Sequence, residues 1–196
     1  SVNTRFRSVE VADIVARSGA RALVLWPGFK DIDFVAMLGE IGERLGAVEA
    51  LVLYDEAEGS EPEVLTRLEA IPGQRQLLRY HDLESNSPYG GDAEPDAGCA
   101  IFTTSGTTRA PKFVLHSQGG VAGHSRIVAD SVGFTAPDAK PLMALPFCGV
   151  FGFSLAMVTL AAGRPIMLMT AFDPVAAGRM IQEHAITHMY GSDDLF

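Results

Sequence analysis

The run Ile101-Phe102-Thr103-Thr104-Ser105-Gly106-Thr107-Thr108-Arg109-Ala110-Pro111-Lys112 holds five hydroxyl residues and one glycine in six consecutive positions, with a lysine four residues beyond the last threonine. Small residues let successive backbone N–H groups turn toward a common point, and the hydroxyls add donors aimed the same way. Such a loop can cradle an anion, best a phosphate chain, with Lys112 adding a point charge. It is not the P-loop pattern G-x-x-x-x-G-K-[ST], because Gly106 stands alone and Phe113 follows the lysine. The same composition equally suits a solvated Thr/Ser hairpin turn.

Other residues with chemical potential carry weaker signals. His184 and His188 are spaced i, i+4, as a helical metal pair would be, but Ile186 and Thr187 point to a helix that ends between them, and no third ligand is placed nearby. No metal site is expected. Gly152-Phe153-Ser154 partly mimics the G-x-S-x-G nucleophile elbow, but lacks its final glycine and falls within an apolar helical stretch. His116 and His124 flank the helix after the Thr-rich run and suit surface or cap positions. Met143, Met157, Met167 and Met169 suit core packing, with an adaptable ligand-lining role as the alternative. Asp55, Glu56, Glu58, Asp193 and Asp194 are expected to face solvent.

The elements that must position the Thr-rich run follow from hydrophobic periodicity. Ala22 to Trp26 and Ala50 to Tyr54 read as buried strands, and Gln74 to Tyr80 as a weaker one. Phe34, Met37, Leu38, Ile41 and Leu45 have helical spacing, so a helix is expected over residues 31–45, stopped by Gly46. A second is expected over 61–70. Residues 81–98, rich in Asp, Glu, Ser, Pro and Gly, read as a long loop. Strands at 99–103 and 112–115 bracket the Thr-rich run, and a helix over 120–132 follows. Strands at 141–145, 165–169 and 187–190 then alternate with helices at 150–162 and 174–184. This β-α-β rhythm predicts an α/β fold, a mostly parallel sheet flanked by helices, with the Thr-rich hairpin near the middle. The chain divides into residues 1–98, a first α/β part ending in the acidic loop, and 99–196, the hairpin and a second α/β part. Both are read as parts of one truncated domain.

Composition narrows the function classes. With 15 Lys+Arg against 24 Asp+Glu, the net charge of −9 and the lack of any basic cluster argue against nucleic-acid binding. Cys99 and Cys148, in apolar company, are too few for a disulfide framework and fit a reducing compartment, which points to the cytoplasm. The first residues lack the apolar core of a secretory signal. The uncharged stretch Met143 to Gly163 is broken by Pro146, Gly149 and Gly152, leaving about 12 helical residues where a membrane span requires about 20. A soluble chain without an integral membrane segment is expected. A homo-oligomer is compatible with all of this.

Thr104-Ser105-Gly106-Thr107-Thr108, with Pro111-Lys112 downstream, resembles the phosphate-binding signature of the AMP-forming acyl-adenylating family, which includes acyl-CoA synthetases, adenylation domains of nonribosomal peptide synthetases, and luciferases. Further segments match in order. Val2 to Arg7, followed by Glu10, resembles the place where the family's chain enters a helix after an early strand. Leu145-Pro146-Phe147 with Val150-Phe151-Gly152 resembles the segment lining the acyl pocket. Phe172-Asp173-Pro174 and Ile186-Thr187-His188 resemble the helix and strand that come next. Two positions depart from the pattern. The family usually has glycine where Arg109 and Phe113 stand; Arg109 either adds a cation or crowds the turn, and Phe113 is expected to pack. The family's pocket histidine aligns with Gly149, or Cys148 one residue earlier, so its role is not carried over.

The resemblance implies a fragment of the large N-terminal domain of an AMP-forming carboxylic acid–CoA ligase. The parent would use ATP and Mg²⁺ to convert an apolar acid (fatty, alicyclic or aromatic) to an acyl-adenylate, then pass the acyl group to coenzyme A. It further implies that Thr104, Ser105, Gly106, Thr107, Thr108, Arg109 and Lys112 hold the ATP phosphates, Lys112 as the catalytic cation. Phe147, Gly149, Val150, Phe151 and Gly152 would shape the acyl pocket. The fragment alone is expected to be inactive, since the segments that bind Mg²⁺ and ribose, the hinge and the small C-terminal domain with its lysine fall outside these residues. The alternative is a non-catalytic nucleotide- or acyl-binding module.

Overall fold

A computed structural model describes residues 2–54, 62–84, 91–104 and 111–191. It divides into two compact units, Val2–Gly90 and Gly91–Phe196.

In the first unit, α1 (Ser8–Ser18) begins where the Glu10 carboxylate accepts a hydrogen bond from the Arg7 backbone N–H (3.1 Å). It ends at Gly19, whose φ of 64° is the left-handed conformation a helix stop requires. No strand precedes α1 among the described residues, so the early strand of the family pattern is not seen here. Strands β1 (Ala22–Leu25), β2 (Ala50–Leu53) and β3 (Gln76–Arg79) form a parallel sheet in the order β1-β2-β3, with Leu25 opposite Leu53 and Leu53 opposite Arg79. Central β2 is buried along Leu51, Val52 and Leu53, as expected. β1 is not a fully buried strand: it lies at an edge, burying Leu25 while Val24 on the opposite face is 57% exposed.

The helix expected over 31–45 is three short pieces. A 3₁₀ turn (Phe29–Asp31) precedes α2 (Phe34–Glu40), and a second 3₁₀ turn (Gly42–Arg44) follows. Lys30 and Asp31, at φ 57° and 56°, break the helical path before α2 can start. Asp33 then caps α2 by accepting from the Ala36 N–H (2.9 Å), and its other oxygen meets Arg67 (2.6 Å). That backbone donor, followed by the Arg67 guanidinium, holds the Asp33 carboxyl below the usual carboxylate range. Met37, Leu38, Ile41 and Leu45 still enter the core with Val11, Ala12 and Val15 of α1, so the apolar spacing marked the right face. α3 (Pro62–Glu69) adds Leu68 to that core. α4 (Tyr80–Glu84) occupies the beginning of what the composition predicts as loop, because Tyr80 follows β3 directly into a helical turn.

In the second unit, β4 (Gly98–Thr103) and β5 (Phe113–Ser117) form an antiparallel hairpin. β5 runs straight into α5 (Gln118–Ser131), which the Ser117 hydroxyl caps by accepting from the Gly120 N–H (3.1 Å). β6 (Pro141–Met143) is the centre of a parallel sheet ordered β7-β6-β8, with β7 (Met167–Leu168) and β8 (His188–Met189) on either side. α6 (Val150–Ala161) and α7 (Pro174–His184) are the crossovers. Phe134, Met143, Leu155, Val158 and Ala129 form the core. β7 and β8 are two residues long each, shorter than the apolar runs suggest. Among the described residues no helix is long and apolar enough to cross a membrane.

Gly42 has no room for a side chain: a Cβ there would lie 2.6 Å from the Pro72 ring and 3.0 Å from Ile71. Gly42→Ala is expected to cost about 1–3 kcal/mol by overpacking. Gly39→Ala, in α2 with nothing within 4 Å of the new methyl, should instead gain about 0.5–1 kcal/mol. Thermal or denaturant unfolding of the two variants checks the opposite signs.

Candidate functional site

The hairpin builds the foot of the Thr-rich loop. Thr103 pairs with Phe113, and one step further the Thr104 N–H donates to the Lys112 carbonyl (3.0 Å). The ladder therefore continues past the strands and brings Thr104 and Lys112 face to face across the loop's neck, both exposed. Ser105, Gly106, Thr107, Thr108 and Arg109 lie outside the described residues. Phe113 is half-buried within β5, consistent with a packing role at the base of the loop.

The other end of the hairpin is pinned. The Gln118 N–H donates to the Ala97 carbonyl and the Gly119 N–H to the Pro95 carbonyl, both at 2.8 Å. A Cβ on Gly119 would lie 3.1 Å from Pro95, so a glycine lets these two backbones approach.

The residues matched to an acyl pocket cluster around the start of α6. Gly149 is its N-cap and donates to the Pro146 carbonyl (3.1 Å). Gly152 is buried against the turn before the helix: a Cβ would sit 2.5 Å from the Pro146 oxygen and 2.8 Å from the Leu145 oxygen. Phe147, Val150 and Phe151 are 41%, 50% and 46% exposed. Gly152 thus fixes the turn, while the three larger residues present an open apolar surface beside it. Ser154 lies inside α6, not on a strand-to-helix turn.

Sequence reasoning missed an aromatic link between these groups. Phe102 of β4 packs against Phe153 of α6 (ring centroids 5.3 Å) and meets the edge of His116 of β5 (5.5 Å). The signal was an aromatic two residues before the loop and another just after Gly152. His116 is accordingly part of a ring cluster within β5 and not a cap. His184 ends α7 and His188 lies in β8, separated by Ala185 in a left-handed cap (φ 51°). Among the described residues no group of three His, Cys, Asp or Glu could hold a metal ion. Cys99 is exposed and Cys148 half-buried, and both are free thiols. The first unit carries an open cleft of about 530 Å³ lined by Arg21, Glu49, Gln74 and Arg75, and none of the residues matched to the family site belongs to it.

A family profile described as "AMP-binding enzyme" matches residues 1–196. Among curated relatives, "Probable acyl-activating enzyme 5, peroxisomal" of Arabidopsis thaliana is 26% identical over 198 residues, covering 98% of this chain and 34% of that protein. The 2-succinylbenzoate–CoA ligase of Geobacillus kaustophilus is 36% identical over 89 residues, 45% of this chain and 18% of that one. A Rhodopseudomonas palustris structure named for a long-chain-fatty-acid CoA ligase aligns with a TM-score of 0.77 at 22% identity, over 99% of this chain and 44% of that chain. O-succinylbenzoate coenzyme A synthetase of Bacillus subtilis, solved with AMP, aligns at 0.58 and 18% identity, over 96% and 43%. The α/β architecture of these proteins is the fold of this chain. The chain spans about a third of the length of the first of these curated relatives.

The Gly152 contact yields a stability test. Gly152→Ala is expected to cost about 1–3 kcal/mol, since its methyl meets two backbone oxygens that cannot rotate away. Gly149→Ala, whose nearest contact would be an ordinary 3.6 Å, should stay within about 0.5 kcal/mol of the parent. Unfolding midpoints of the pair measure the difference.

Proposed function

Because the chain belongs to the AMP-binding enzyme family, we propose that it is the phosphate-binding part of an AMP-forming carboxylic acid–CoA ligase acting on an apolar acid. The observation that supports this reading is the hairpin neck, where the Thr104 N–H donates to the Lys112 carbonyl at the two ends of the Thr/Ser/Gly run of the sequence. In the reaction, a carboxylate oxygen attacks the α-phosphorus of ATP and the bond to pyrophosphate breaks, giving an acyl-adenylate. The thiol of coenzyme A then attacks the acyl carbon and AMP leaves.

The work of this stretch is to position groups and neutralise charge. Thr104 to Thr108 would offer backbone N–H and hydroxyl donors to the β- and γ-phosphates, with Arg109 as an added cation. Lys112 would neutralise charge growing on the departing pyrophosphate. Phe147, Gly149, Val150, Phe151 and Gly152 would shape the acyl end, and their apolar character favours a fatty, alicyclic or aromatic carboxylate over a charged one. Mg²⁺ would accompany the nucleotide; the described residues offer no group of three ligands for it. The reaction requires the longer protein, and these residues alone would not catalyse it. A cytoplasmic setting is proposed from the unpaired cysteines, although one relative's name is peroxisomal.

Carboxylate-dependent ATP–pyrophosphate exchange on the full polypeptide, with a panel of apolar acids, tests the proposal. Exchange that requires one class of acid is expected. Lys112→Ala should slow it by about 10²-fold, the scale of losing one well-placed charge stabiliser. No exchange from the folded protein with any acid would overturn the ligase and favour a binding module, and unchanged kinetics in Lys112→Ala would remove the lysine from its role.

A further inference from the structure

We infer that Phe102 and Phe153 form a positioning pair that ties the loop-bearing end of the hairpin to the first turns of α6, so that the nucleotide and acyl ends are set by one packed contact. This rests on the proposed ligase reading for what the two ends bind, but the mechanical link is seen in the second unit alone.

A two-stranded hairpin has too little buried surface to hold its own shape, and it takes its geometry from whatever packs on it. Here the base is pinned by Pro95 and Ala97 against Gly119 and Gln118. Toward the loop, the aromatic contact is Phe102 against Phe153 at 5.3 Å, with His116 closing edge-on to Phe102 at 5.5 Å. The register shows which side of the hairpin this contact holds. Phe102 is opposite Val114, Thr103 opposite Phe113, and Thr104 meets Lys112. Side chains alternate along a strand, so Phe102, Val114, His116, Thr104 and Lys112 belong to one face. The helix therefore grips the face that carries Lys112, two positions below it.

On the other side, Phe153 follows Gly152, the residue locked against the Pro146 and Leu145 carbonyls, and its N–H donates to Gly149 (3.1 Å). Phe147, Val150 and Phe151 belong to the same turn and cap. A shift of this turn cannot be absorbed at Gly152, where there is no slack, so it passes through Phe153 to Phe102. The pair acts on substrate only through the elements it joins, which makes it positioning and not catalytic.

The consequence is a kinetic effect in an unexpected column. Phe153 lies on the acyl helix, yet Phe153→Leu should raise KM for ATP by about threefold to tenfold, the range one aromatic pair supplies. Phe102→Leu should do the same, and the double variant should be no worse than the stronger single, because both remove one interaction. Phe153→Tyr, which keeps the ring, should restore KM. These are read by pyrophosphate exchange on the full polypeptide. Tryptic cleavage after Lys112 without nucleotide gives a second readout that needs no activity: Phe153→Leu should accelerate it, and Phe153→Tyr should not. Effects confined to the acid's KM, multiplicative losses in the double variant, or unchanged cleavage would overturn the pairing. Absence of exchange in the parent protein, with cleavage behaving as expected, would instead overturn the ligase reading while leaving the tether in place.

Discussion

A single backbone hydrogen bond, from the Thr104 N–H to the Lys112 carbonyl, closes the neck of the hairpin on which the proposed phosphate site depends. It is the last rung of a short antiparallel ladder, and it sets the separation of the two chain ends from which the loop springs. With the rung made, Lys112 stands across from Thr104, both exposed at the end of the ladder. The rung is solvent-exposed and of modest net worth by itself, on the order of 1 kcal/mol. Its persistence depends on the elements behind it: the pinned base at Pro95 and Gly119, and the aromatic stack onto α6.

Much of this was legible from residue types and spacing, and the reasons differ from place to place. The alternation of strands and helices was plain because parallel crossovers impose it, and β2, β6 and α7 fall where apolar runs and the Asp173-Pro174 start signal put them. The neck of the loop was legible because hydroxyl-rich turns between two apolar runs have few other arrangements. What periodicity did not carry was continuity. Residues 31–45 keep a helical apolar face, but the left-handed pair Lys30–Asp31 and the Asp33 cap delay the helix, and α2 gives way at Ile41 to a 3₁₀ turn whose Gly42 packs against Pro72. An apolar count cannot see a backbone contact made thirty residues away.

The site shows the same division. Lys112 and Gly152 were named from their neighbours in the chain, whereas Phe102, Phe153 and His116 matter through what they touch: Phe102 meets His116 across the hairpin and Phe153 from a segment far away in sequence. Gly152 shows how a sequence match and a physical role can coincide without being the same thing. It was singled out as lining a pocket, and the structure gives it a definite task in packing, with its missing side chain replaced by two carbonyl oxygens.

The three-stranded sheet of the first unit has a practical bearing on how this polypeptide must be handled. Among the described residues β1 and β3 each pair on one side only, and β1 carries an outward Val24 on a four-residue run free of charge. Such an edge is a template for another chain's strand. At the concentrations used for crystallisation or magnetic resonance, this edge is where a second copy would pair first. Apparent oligomer size would then track protein concentration and not any built interface, and a lysine in place of Val24 would be the simplest way to tell the two apart.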